Sequence, residues 1–163
     1  MAPIQKPGRS KQDYCTPPLF LAALKQRLGI GQFDIDLAAS AENAICMNYY
    51  DEQMNALKQS WKVTQGGWAF CNPPFAHIHP WVEKAGLEAA KGAQVAMLVP
   101  VSTGANWWYG FVHDDCHVLF LNGRLTFVGE TAPYPKDCAI LLYTPYIRTG
   151  YDIWDWRLSA PKA

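Results

Sequence analysis

The stretch Trp68-Ala69-Phe70-Cys71-Asn72-Pro73-Pro74-Phe75 runs from a continuous apolar segment directly into a stiff turn. Apolar residues in a row, without polar alternation, read as a strand buried on both faces, as in the interior of a parallel sheet. The turn then lies at that strand's carboxyl end, where open α/β sheets bind ligands. Proline fixes its own φ and drives the preceding residue toward extended geometry, so Asn72 and Pro73 are each restricted by the proline next in the chain. Two acceptors are thereby held in place, the Asn72 side-chain carbonyl and the Pro73 backbone carbonyl. Such a pair suits the two N–H groups of a planar exocyclic amine. The lone pair of that amine is delocalised into its ring, and drawing it out of conjugation makes the nitrogen a nucleophile without a strong base. Phe75 adds an aromatic face on which a flat ring stacks. Asn72, Pro73, Pro74 and Phe75 are therefore the catalytic candidates, and methyl transfer to a planar amine is the chemistry they suit.

Outward from this strand the chain alternates short strands with helices. Thr16-Pro17-Pro18, then Leu19, Phe20, Ala23, Leu24 and Leu28, then Gly29, supply a cap, first-turn prolines, an apolar stripe and a stop, predicting a helix over 17–28. Phe33 to Ala38 alternates apolar and acidic residues and predicts a short strand whose end carries Asp36. Residues 46–50 read as a second strand closed by Asp51, and 52–61 as a weak helix. A helix over 79–91, a buried strand over 95–99 and a helix over 106–112 come next. Residues 118–121, 125–128 and 139–143 lack intervening helices and predict an antiparallel edge, while 146–156 is aromatic-rich without a period and stays unassigned. The fold class is α/β, a mostly parallel sheet with helices on both faces and an antiparallel edge.

With 163 residues and 50% hydrophobic composition the chain fits one domain, over 13–163. Lys plus Arg and Asp plus Glu both total 14, so there is no global basic field and any contact with nucleic acid must be local. Lys6, Arg9 and Lys11, with no acid among residues 1–12, read as a flexible basic arm suited to a phosphate backbone. The five cysteines are widely spaced in apolar surroundings and read as reduced core thiols. No Cys-x-x-Cys pair occurs and His77-Ile78-His79 has no partner pair, so no metal is expected. Neither an export signal nor a membrane-length apolar run is present, which places the expected compartment in the cytoplasm.

A methyl donor needs a good leaving group, and the biological default is the sulfonium of S-adenosylmethionine. Asp36 and Asp51 end the first two candidate strands, one suited to the ribose and the other to the amino-acid end, with the order left open. Ala38 and Ala39 are small enough to let backbone approach a ligand. Tyr14, Thr16 and Pro17 stand at the start of the first helix, whose unpaired N–H groups suit a carboxylate, and Tyr14 offers a cation–π face to a sulfonium.

Asp13-Tyr14-Cys15-Thr16-Pro17, Phe33-Asp34-Ile35-Asp36-Leu37-Ala38-Ala39, Asn72-Pro73-Pro74-Phe75, Leu98-Val99-Pro100 and Gly123-Arg124-Leu125-Thr126-Phe127 together resemble the phage-type Dam family of DNA adenine methyltransferases, over most of residues 13–144. The resemblance implies a Rossmann-like methyltransferase fold, S-adenosylmethionine as cofactor, double-stranded DNA as partner and the N6 amine of a flipped-out adenine as target. It further implies a phage or prophage origin in a bacterial host and a monomer or weak homodimer. A glycine-rich first motif and a target-recognition insertion, present in many other adenine methyltransferases, are both lacking, so base readout falls to short loops. Arg124, Lys136 in the Pro-rich loop 131–137, and His77 are the DNA-contact candidates. Other amines, on cytosine, an RNA base or a protein glutamine, suit the same two acceptors. A non-catalytic binding module is the reading from a different class, and the joint presence of Asn72, Asp36 and Phe75 argues against it.

Overall fold

The computed structural model describes residues 14–159, so the basic arm expected over 1–12 lies outside the described residues. Strands β1 (Ile35–Asp36), β2 (Ala69–Cys71), β3 (Val95–Pro100), β4 (His117–Leu121), β5 (Cys138–Tyr143) and β6 (Gly150–Trp154) form one six-stranded sheet in the order β1-β2-β3-β5-β4-β6. Pairing is parallel for β1 with β2, β2 with β3 and β4 with β6, whereas β5 is antiparallel to both β3 and β4. Five strands therefore run one way and β5 alone runs the other.

The mostly parallel sheet matches expectation, but its antiparallel strand is wedged into the interior and does not form an edge. The far edge is β6, in the stretch that carried no period. Only Trp154 of β6 is buried, and Tyr151, Asp152 and Ile153 all face solvent, so no alternation was there to find.

Helices α1 (Pro18–Leu28), α2 (His79–Ala90) and α3 (Asn106–Phe111) cover the two faces. On one face Phe20 and Leu24 of α1 pack with Phe70, Ala96, Leu98 and Leu119. On the other, Trp81, Val82 and Ala85 of α2 and Trp108 of α3 pack with Ala69, Cys71, Val95 and Met97. Successive residues of β2 and β3 thus enter opposite cores, which is why those strands read as unbroken apolar runs. Gly29 ends α1 with φ 69°, the left-handed cap geometry that glycine adopts without strain.

Three expected elements are reduced. Residues 46–50 make only an isolated bridge, Asp36 to Tyr49, because the partner strand is two residues long and Met47 is 96% exposed. Residues 52–61 hold a single 3-10 turn, Ala56–Lys58, preceded by Asn55 in the left-handed region. Residues 125–128 alternate Leu125 and Phe127 inward against exposed Thr126 and Val128, which gave the strand signal, yet the pairing is one bridge from Val128 to Cys15.

The first strand is held by its own acid. Asp36 is 3% exposed, and its carboxylate accepts the N–H groups of Ala38 at 3.2 Å and Ile45 at 3.2 Å, folding 38–45 back over the strand end. Burial pushes this carboxyl from 3.8 up to about 6, against the two N–H donors, which pull it down. The folded protein therefore holds the proton more tightly than the unfolded chain. This contribution to stability is complete below the unfolded value and is lost as pH rises through the folded one. A displacement of that size corresponds to on the order of 3 kcal/mol. The melting temperature should accordingly fall between about pH 4.5 and about pH 6.5 more steeply for the wild type than for Asp36→Asn. Equal slopes in thermal scans of the two proteins would contradict the assignment.

Candidate active site

Strand direction brings the candidate residues to one end of the sheet. The chain leaves β1 at Leu37, β2 at Asn72 and β3 at Val101 on that end. Because β5 runs antiparallel, the connection 122–137 also stays there, with Pro100 paired to Cys138.

Asn72 is 7% exposed, and its amide is pinned. Nδ2 donates to the Tyr14 carbonyl at 3.0 Å and to Thr16 Oγ1 at 3.2 Å. A backbone carbonyl can only accept, so the amide nitrogen must face Tyr14 and the Asn72 carbonyl must point the other way. Both amide protons are used internally. Oδ1 is sealed from solvent and is the only buried side-chain nitrogen or oxygen without a hydrogen-bond partner among the described residues. Leaving such a group unmatched costs about 1–3 kcal/mol, and native structures hold few of them.

Thr16, expected as a helix cap, is not one. Pro17 is the N-cap residue of α1, with extended ψ 134°, and no side chain caps the helix. The buried Thr16 hydroxyl instead accepts from Asn72. Val128 N donates to the Cys15 carbonyl at 3.1 Å, so residues 14–16 are clamped between the end of β2 and the segment 125–128.

Beyond Asn72 the His77 N–H donates to the Pro74 carbonyl at 3.1 Å, closing the turn that carries Phe75. Phe75 packs against the apolar clusters of both sheet faces and so stands over the sheet's end. Three further rings close around it. Phe75 lies 5.9 Å from Tyr14, 6.4 Å from Phe127 and 5.6 Å from Tyr134, and Tyr14 lies 4.9 Å from Phe127. Desolvation pushes the Tyr134 phenol up to about 12, with Cys138 and Tyr14 adding to the effect, so the hydroxyl keeps its proton. Phe127 and Tyr134 were not singled out from the sequence as site residues. Pro133-Tyr134-Pro135, an aromatic between two prolines in an otherwise polar loop, was the available signal.

The cofactor candidates divide between two places. Tyr14, Thr16 and Pro17 lie beside Asn72. Ala38, Ala39 and Asp51 line a cavity of about 260 Å³ with Tyr50, Asn55 and Trp81. One Asp51 oxygen accepts the Met54 N–H at 2.9 Å, which leaves the other for an outside donor among the described residues. Asp36 is engaged with Ala38 and Ile45 and does not line this cavity. Small residues, a carboxylate and an indole in one recess fit a nucleoside, whose ribose hydroxyls donate and whose base takes an aromatic wall.

His77, Arg124 and Lys136 are all exposed on loops leaving the same end. Arg124 Nε donates to Asp137 Oδ1 at 3.1 Å in a solvent-facing ion pair. Among the described residues no group of three or more His, Cys, Asp or Glu could hold a metal ion, and no helix is long and apolar enough to cross a membrane. None of the five cysteines is in a disulfide, and burial pushes the Cys71 thiol, next to Asn72, well above its ordinary value, which rules out a thiolate nucleophile there.

Comparison with known proteins identifies the family. The family described as DNA N-6-adenine-methyltransferase (Dam) matches residues 5–144, a span that holds every candidate residue from Tyr14 to Lys136. A DNA N-6-adenine-methyltransferase of Escherichia phage T1 is 28% identical over 120 residues, which is 74% of this chain and 49% of that protein. The chain thus spans about half the length of the curated relative it matches. No solved structure matches. The match extends over most of the 163 residues and includes the Asn72–Phe75 turn and its surroundings, and the chain belongs to the DNA N-6-adenine-methyltransferase (Dam) family.

Proposed function

We propose that this chain transfers a methyl group from S-adenosylmethionine to the N6 amine of an adenine flipped out of double-stranded DNA. The single observation that carries the reading is Asn72 Oδ1, a buried acceptor with no donor among the described residues, held in orientation by two hydrogen bonds from its own amide nitrogen. An exocyclic N–H satisfies it. The Pro73 carbonyl, which no described backbone donor reaches, accepts the second N–H. With both protons directed to fixed acceptors, the nitrogen lone pair turns out of the ring plane, and no ionised base is needed. Phe75 supplies the stacking face that sets the ring plane.

The cofactor, when bound, supplies an electrophilic methyl on a sulfonium sulfur. Asp51, Ala38 and Ala39 suit its nucleoside portion, and the segment of Tyr14, Thr16 and Pro17 at the start of α1 suits its amino-acid end. Asp36 acts through the loop 38–45 that its carboxylate shapes. His77, Arg124 and Lys136 form a rim for the DNA backbone and bases, consistent with a chain whose formal net charge is zero and whose cationic contacts must be local. The parallel strands, the helices on both faces and the position of the site at the carboxyl ends support a Rossmann-like methyltransferase domain over 13–163. Family membership favours adenine in DNA over cytosine, RNA or glutamine amines.

Labelled-methyl transfer to unmethylated duplex DNA, with subsequent digestion to nucleosides, should put label on deoxyadenosine. Label on another nucleoside, or on none despite cofactor binding, would contradict the reading. Asn72→Ala should lower turnover by at least about 10²–10³-fold, a loss well beyond any change in cofactor affinity measured by calorimetry. Asn72→Asp should not rescue it, because a carboxylate has no proton to give the Tyr14 carbonyl. Asp51→Ala should instead weaken cofactor binding by about 10-fold or more, the value of one hydrogen bond to a charged group. A cofactor dissociation constant unmoved by Asp51→Ala would remove that residue from the site.

A further inference from the structure

Loop 131–137 has one inward-facing side chain. Thr131, Ala132, Pro133, Pro135, Lys136 and Asp137 are exposed, and Tyr134 between them is half-buried. Its N–H donates to the Leu125 carbonyl at 2.7 Å, and a proline on either side restricts its backbone further. The ring meets the other three edge-on, at 5.6 Å and 65° from Phe75, 5.9 Å and 73° from Tyr14, and 5.7 Å and 79° from Phe127. Tyr14 and Phe127, 4.9 Å apart and inclined by 33°, pack as a pair beside them. The Tyr134 hydroxyl has no hydrogen-bond partner among the described residues, although burial holds it protonated.

We propose that Tyr134 is a base-positioning residue, whose ring forms the second wall of the target-base pocket opposite Phe75 and holds the purine flat with its amine at Asn72 Oδ1. This rests on the reading of the Asn72–Phe75 turn as the amine-methylating loop. Phe75 and Tyr134 meet edge to face, with 5.6 Å between centroids at 65°, which leaves no room for a third ring between them, so a purine stacked on Phe75 displaces Tyr134. Oδ1 is likewise sealed from solvent. The first is relieved by an outward turn of the Tyr134 side chain as the base enters. The Tyr134 backbone is tied to Leu125 and restricted by both prolines, so the movement is one of the side chain, helped by give in the exposed residues before it. Asp137 is tied down by its carbonyl to Val101 N at 2.9 Å and by its side chain to Arg124, whereas the exposed residues 131–133 have no comparable anchor among the described residues. Phe75 cannot yield in the same way, since it packs on both cores.

The test compares wild type with Tyr134→Phe, Tyr134→Leu and Tyr134→Ala in labelled-methyl transfer to amplified duplex DNA, with calorimetric S-adenosylmethionine affinity and thermal midpoints measured alongside. Tyr134→Phe should stay within about threefold of wild type, because the stacking face is kept. Tyr134→Leu and Tyr134→Ala should lose roughly 10- to 100-fold in kcat/KM for DNA, the value of one base–aromatic stack. Cofactor affinity and thermal midpoint should stay near wild type in the leucine variant. Leucine matching phenylalanine would overturn the proposal, since apolar packing would then suffice, and so would a loss of cofactor affinity as large as the loss of turnover. A wild type that labels no DNA adenine would overturn the underlying reading itself, whereas an active wild type with an active leucine variant overturns only the role of Tyr134.

Discussion

Two hydrogen bonds from one amide nitrogen organise the end of the sheet where the site lies. Asn72 Nδ2 reaches back to the Tyr14 carbonyl and to Thr16 Oγ1, and Cys15 between them receives the Val128 N–H. Four segments distant in sequence, the entry to α1, the end of β2, the segment 125–128 and through it the loop 129–137, are thereby registered to one another. Each bond contributes only about 0.5–1.5 kcal/mol net, so their importance is positional. They orient the Asn72 carbonyl away from Tyr14 and Thr16, and on the proposed reading its unmatched, sealed oxygen is the cost of a recognition group ready before the substrate arrives.

The sheet delivers the other half of the site by reversing one strand. Had β5 run parallel to β3, the chain would have crossed to the opposite end of the sheet before entering it, carrying residues 122–137 away from Asn72. The antiparallel register of Pro100 with Cys138 keeps that connection beside the Asn72–Phe75 turn. Phe127 and Tyr134 become neighbours of Phe75 for this topological reason, although more than fifty positions separate them in the chain.

Much of this was legible locally. The unbroken apolar run into Asn72-Pro73-Pro74-Phe75 identified a doubly buried strand and the turn that ends it, because both signals lie within eight consecutive residues. Helix bounds around Pro18, Gly29 and His79 came from caps and stops that act over a single turn. What failed depended on partners. Residues 125–128 have strand periodicity and nearly no strand to pair with, and 46–50 face a β1 too short to extend a ladder. Thr16 looked like a cap because its sequence neighbours are helical, but its hydroxyl is taken by Asn72, far along the chain. Asp36 and Asp51 looked equivalent at two strand ends. One folds a loop onto itself and the other opens into a cavity, a distinction set by the backbone donors that surround each. The β6 strand could not be read at all, since three of its five residues are solvent-facing and paired only through the backbone.

The connection 122–137 begins and ends on adjacent strands whose ladder is complete without it. Closing such a loop costs entropy that grows only as the logarithm of its length, about 0.6 kcal/mol for each doubling. The exposed residues 131–133 can therefore change in number and composition at little thermodynamic penalty, whereas Leu125 and Phe127 are held in the core and Val128 by its bond to Cys15. On the proposed reading, the exposed tip of the connection is free to diversify at the rim of the site, and the Asn72–Phe75 turn is insulated from that change. One reactive turn of that kind would then serve connections of many lengths.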